Sequence, residues 1–162
     1  MYPAVKGACD CNFELLKKDT NFNLFKKSLI YALTAPTRKK EYKFDLCRIH
    51  VSGDFFSAPY MKAVFDVARA CGHIKFWAYT KQYEILSEVG IDNIPKNFCM
   101  IVSCWGEFNP FKYKGGKYAH LAKLPLAYLD DGSEEYQKIT EETQKLLGKS
   151  GKVQVCPCTT AD

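Results

Sequence analysis

No apolar run in this 162-residue chain is long enough to span a bilayer, and the first residues lack the apolar core of a signal peptide. A soluble cytoplasmic protein with no membrane partner is therefore expected. Several catalytic signatures are also missing: there is no Walker loop, dinucleotide fingerprint or zinc-protease helix, and Ser52 does not sit in a nucleophile-elbow pattern. Internal repeats, low-complexity tracts and linkers are absent too, so residues 1–162 read as one domain. Charge excess is small, at +5, and dispersed over Lys17-Lys18, Lys26-Lys27, Arg38-Lys39-Lys40 and Lys112 to Lys117. Such clusters are most simply solvated faces and loops. The basic loop holding Arg38, Lys39 and Lys40 is the candidate phosphate-facing surface, for which salt-sensitive nucleic-acid binding is expected.

What is present is enough for a globular core, with 47% hydrophobic residues, and an unusual eight cysteines. Without export, thiols stay reduced, and Cys47, Cys71 and Cys99 fall within strand or helix patterns as small buried hydrophobes. Cys9 and Cys11, and Cys156 and Cys158, form two Cys-x-Cys pairs, one near each end. They are the candidate metal ligands, for zinc or an iron–sulfur cluster, if the fold joins the ends. The spacing is weaker evidence than the Cys-x-x-Cys of zinc knuckles.

Periodicity sets the order of elements. Helical turns are expected at Asn12 to Lys18. Asp19-Thr20 caps a helix from Asn21 to Leu33. A strand follows from Phe44 to Val51, then an amphipathic helix from Ala58 to Cys71, with Pro59 in its first turn and Gly72 at its end. Ile74 to Thr80 is a second strand and Gln82 to Val89 a short helix. Phe98 to Cys104 is a third strand, with Met100, Ile101 and Val102 as a buried run. Trp105 to Lys123 lacks a period and reads as a loop or insertion. Leu126 to Leu129, a helix from Glu134 to Leu147, and Val153 to Cys156 complete the chain. Alternating strands and helices imply an α/β fold: an open or partial (β/α) barrel with a mostly parallel sheet of about five strands.

Parallel strands place their carboxyl ends on one edge, where such folds keep their sites. Arg48, His50, Ser52, Gly53 and Asp54 come from the first strand and its turn, Tyr79, Thr80 and Lys81 from the second, and Ser103 from the third. Period-two alternation sets Arg48 and His50 on one face. Arg48, His50, Asp54 and Lys81 are the candidate catalytic residues. Ser52, Gly53, Tyr79, Thr80 and Ser103 are the candidate ligand-binding residues. Each also has a structural reading: Asp54 as a cap, His50 as a satisfied core histidine, Thr80-Lys81 as a strand-to-helix cap.

Arg48-x-His50-x-Ser52-Gly53-Asp54, Phe76-Trp77-Ala78-Tyr79-Thr80-Lys81, and Ile94-Pro95-x-Asn97 before a strand ending in Ser103 resemble a group of phage and prophage proteins. This is the gene product eighty-eight family. The group resembles in turn a degenerate relative of radical S-adenosylmethionine proteins, which have partial (β/α) barrels. The resemblance covers about Tyr2 to Cys158. It implies a phage or mobile-element protein in the cytoplasm of an infected or lysogenic bacterial host. The role it implies is binding or host modulation, with a nucleic acid or nucleoprotein complex of the host as the partner. The alternative is a radical or metal-assisted enzyme acting on a nucleotide-like or anionic substrate. Tyr2-Pro3-Ala4-Val5-Lys6-Gly7 looks like the tail of the family's Cys-Tyr-Ala-x-x-Gly opening, with Met1 where a cysteine would stand. The chain stops soon after Cys156-Pro157-Cys158. Both departures argue against a complete iron–sulfur cluster.

Overall fold

A computed structural model describes residues 3–35, 45–51, 53–104, 108–128 and 154–155, with the isolated positions 134, 137, 138, 141 and 145; of residues 3–9 and 154–155 it describes the backbone alone. Two helices come first. α1 (Pro3–Lys18) is longer than the turns expected at Asn12 to Lys18, because the helix runs unbroken through Gly7 and the polar stretch after it. α2 (Asn23–Thr34) starts two residues later than expected, with Phe22 in a left-handed conformation, φ 52°, just before it. The Asp19 carboxylate accepts the amide protons of Asn23, Leu24 and Phe25 at 3.1, 2.8 and 3.0 Å. It thus satisfies three donors that a helix start leaves without partners.

The sheet is built from β1 (Leu46–Arg48), β2 (Lys75–Thr80), β3 (Phe98–Cys104) and β4 (Leu126–Tyr128), with the two-residue β5 (Gln154–Val155) along the outer edge of β4. The expected five strands are thus four of substance and one short edge pairing. All pairs are parallel and the spatial order follows the chain, β1-β2-β3-β4-β5. Among the described residues the sheet does not close, since β1 and β5 each have one neighbour.

The connections are α3 (Ala58–Ala70) between β1 and β2, and α4 (Tyr83–Val89) between β2 and β3. Ser57 caps α3 by accepting the Tyr60 amide at 3.2 Å, and Pro59 sits in the first turn, where its missing N–H costs nothing. Because strand order never reverses, right-handed crossovers carry both helices to the same face. The core lies between them and that face: Met61, Val64, Phe65 and Ala68 of α3 and Leu86 of α4 meet Phe76, Ala78, Phe98, Met100 and Val102. Phe65 packs edge-on to Phe98, with ring centroids 5.1 Å apart.

Two strands differ from the expectation. β3 is not a buried run; it alternates, with Met100 and Val102 inside, Ile101 only half-buried and Cys99 exposed and not a buried hydrophobe, because among the described residues helices cover one face of the sheet and not the other. β1 ends at Arg48 and not at Val51. His50 adopts φ 60°, a left-handed conformation uncommon outside glycine, so the strand's alternation stops before it. The aperiodic span after β3 holds two short 3-10 segments, Tyr113–Gly116 and Ala119–Lys123. The described positions of the expected helix from Glu134 to Leu147 are helical, and its other positions lie outside the described residues. So do Arg38, Lys39 and Lys40. No helix among the described residues is long and apolar enough to cross a membrane.

Candidate functional site

A cleft of about 360 Å³ opens at the carboxyl ends of β2 and β3, lined by Gly53, Asp54, Tyr79, Thr80, Lys81, Gln82, Ser103 and Phe108. Six of these are residues that the parallel-strand reasoning gathers, and the volume falls within the range of small-ligand sites. Gly53 brings the turn after β1 to the cleft with φ 83°, a conformation strained for any other residue although open space surrounds it.

Asp54 holds this arrangement together. One carboxylate oxygen accepts the Phe55 amide at 2.7 Å and the Thr80 hydroxyl at 2.8 Å, and the other accepts the Lys81 amide at 2.7 Å. Thr80 Oγ1 in turn accepts the Gln82 amide at 3.0 Å. The turn after β1 is therefore tied to the turn after β2 through one charged group. Such charge-assisted bonds are short and roughly twice as strong as neutral ones. With both oxygens engaged, Asp54 positions the cleft walls and is poorly placed to move a proton.

Lys81 points its ammonium toward the Phe108 ring, 5.5 Å from the centroid. Burial lowers its pKa from the ordinary lysine value, and the neighbouring Asp54 charge opposes that shift. Below the cleft, fully buried Tyr83 donates its hydroxyl to the Ser103 carbonyl at 2.8 Å, which fixes the end of β3. Burial, more than any other cause, drives the Tyr83 pKa upward. Gln82, Tyr83 and Phe108 are absent from the sequence-based candidates. The aromatic residue after Lys81-Gln82 was a visible signal for Tyr83. Phe108 had none, since it lies in the aperiodic span.

Arg48 and His50 part company. Arg48 is exposed on the sheet, its guanidinium 5.3 Å from the Tyr79 ring centroid. The left-handed turn carries His50 into an aromatic cluster, edge-on to Phe55 at 4.7 Å. There it shares a hydrogen bond of 3.0 Å between Nε2 and the Tyr60 hydroxyl. Its Nδ1 is buried without a partner among the described residues. Burial raises the Tyr60 hydroxyl to about 12 and pushes the His50 imidazole below its ordinary 6.5, the latter opposed by Asp54. A depressed histidine pKa means that the folded state favours the neutral ring. The associated stability is present above about pH 6.5 and is lost as pH falls below it, because the unfolded chain takes up the proton first. Denaturant titrations across that range should show a shallower acid-side loss for His50→Asn, which tolerates the left-handed turn, than for the native chain. Equal slopes would show that His50 protonates without cost.

A sequence model of the gene product 88 family matches residues 1–158. The chain belongs to the gene product 88 family. No curated protein and no solved structure matches it. For this gene product 88 protein, the candidate metal ligands are only partly described. Cys9 and Cys11 occupy α1, where positions two apart stand roughly 200° apart around the axis. Cys11 is exposed and free, and Cys156 and Cys158 lie outside the described residues, as does Ser52. Among the described residues no three His, Cys, Asp or Glu side chains gather as a metal site would require.

Proposed function

We propose that this gene product 88 protein is a binding protein whose cleft at the strand carboxyl ends takes an anionic, nucleotide-like ligand, in the service of host modulation. The observation that carries the reading is the pairing within one cleft of the Lys81 ammonium with two aromatic walls, Tyr79 and Phe108. Asp54 lines the same cleft, but its oxygens are turned to three donors. The cation then meets the phosphate, and the rings offer faces to a base. Arrangement of the remaining polar groups favours binding over acid–base chemistry, since the His50 imidazole is held on Tyr60 away from the cleft. A partial-barrel kinship with radical S-adenosylmethionine proteins is part of the same proposal, supported by the singly wound parallel order.

Calorimetric titration with a nucleoside triphosphate tests the reading. Saturable binding that weakens at least tenfold in Lys81→Met, with the melting temperature held within a few degrees, is the expected result. Absence of saturable binding at millimolar nucleotide would sink it.

A further inference from the structure

Among the described residues, helices bury one face of the sheet and none covers the opposite face. Its strand positions are Leu46 and Arg48 on β1, Lys75, Trp77 and Tyr79 on β2, Cys99, Ile101 and Ser103 on β3, and Ala127 on β4. None of these is buried, and Leu46 is 63% exposed. Parallel sheets are ordinarily covered on both faces, so an open one calls for an occupant. The chemistry of this face narrows what that occupant is. Its two ionised positions, Arg48 and Lys75, are both cationic, and no acidic residue occupies any of its described strand positions. Trp77 lies beside Arg48 in register, and the Arg48 guanidinium already rests over the Tyr79 ring, 5.3 Å from its centroid. Aromatic rings and a stacked guanidinium on an open, cationic sheet are what splayed bases stack on, with the cations matched to the phosphates between them.

We infer that this open face binds single-stranded nucleic acid, with bases stacked on Trp77 and on the Arg48–Tyr79 pair. Lys75 meets the backbone at one end of the β2 row. The strand leads toward the Lys81 cleft at the other, because Tyr79 and Ser103 belong to both the face and the cleft. The inference deepens the proposed function and rests on it for the chemistry of the ligand; it shares Tyr79 and Ser103 with the cleft, while Arg48, Trp77 and Lys75 lie outside the cleft lining.

The chain has two tryptophans, Trp77 and Trp105, so the test uses a Trp105→Phe background in which Trp77 alone reports. A thymidine oligonucleotide of about 8 residues, within the usual site sizes for single strands, is titrated at low salt. Quenching of Trp77 emission is expected, with affinity falling steeply as salt rises. Arg48→Glu and Tyr79→Leu should each weaken binding on the order of tenfold or more, with unchanged circular dichroism. Because both positions are exposed, neither change needs to disturb the fold. Unaltered Trp77 emission, or equal affinity in the Arg48→Glu protein, would overturn the inference. So would sedimentation showing that this face is buried in a dimer that Arg48→Glu dissociates. The two readings fail separately. Nucleotide binding that needs Lys81 without any oligonucleotide quenching leaves the cleft and removes the face. Oligonucleotide quenching that persists in Lys81→Met, with no saturable binding of the nucleoside triphosphate, does the reverse.

Discussion

Asp54→Ala should destabilise the protein by about 2–4 kcal/mol, a fall of roughly 5–15 °C in melting temperature for a chain of this length. The reason is the number of groups that depend on one carboxylate. Removing it strands the amides of Phe55 and Lys81 and the Thr80 hydroxyl, and Thr80 is itself 1% exposed. Each buried donor left without a partner costs about 1–3 kcal/mol, partly relieved where water can enter from the cleft. Asp54→Asn should fall between the two proteins. Its amide oxygen still accepts two of the bonds, while its NH2 group faces the third donor. Thermal and urea unfolding of the three proteins checks the order. A loss below about 1 kcal/mol for Asp54→Ala would show that the two turns hold their places without the carboxylate, and would return Asp54 to the list of groups free for chemistry.

Asn97→Asp should be comparably damaging, at about 3–4 kcal/mol, and worse than Asn97→Ala at about 1–3 kcal/mol. The Asn97 side-chain amide reaches the carbonyls of Ala68, Cys71 and Ile74 at 2.8, 3.3 and 2.9 Å. Those carbonyls end α3 and lead into β2, so one amide closes the helix and aligns the strand after it. Alanine leaves the carbonyls unpaired. Aspartate has nearly the same shape and places negative charge against three acceptors. The comparison therefore separates lost hydrogen bonding from electrostatic repulsion. Equal stability of the Ala and Asp variants, measured at neutral pH by urea denaturation, would show that the carbonyls find water instead.

Asn97 also marks how far a motif can be read without a structure. Ile94-Pro95-x-Asn97 was visible as a pattern before β3, but its work is done on carbonyls 23 to 29 residues earlier, and no local rule points there. Asp54 is similar. Gly53-Asp54 is legible as a turn, and its cap-like bond to Phe55 is local. Its partners Thr80 and Lys81 lie 26 and 27 residues onward.

The sequence by itself determined the parallel order of strands and the edge on which their ends meet. Both follow from hydrophobic period, helix stops such as Gly72 and Gly90, and the handedness of crossovers, which are local or general rules. That is why Gly53, Asp54, Tyr79, Thr80, Lys81 and Ser103 could be grouped before any distance was known. Only the tertiary structure decided where alternation breaks and which sheet face is covered. The left-handed turn at His50 carries its ring against Phe55 and Tyr60, so it separates His50 from Arg48 against the period of the strand. The apolar run Met100, Ile101 and Val102 reads as buried on both sides, and no local rule says that helices leave one side of β3 uncovered. That side is set by the direction of successive crossovers, which keep α3 and α4 together and leave Arg48, Trp77 and Tyr79 facing outward.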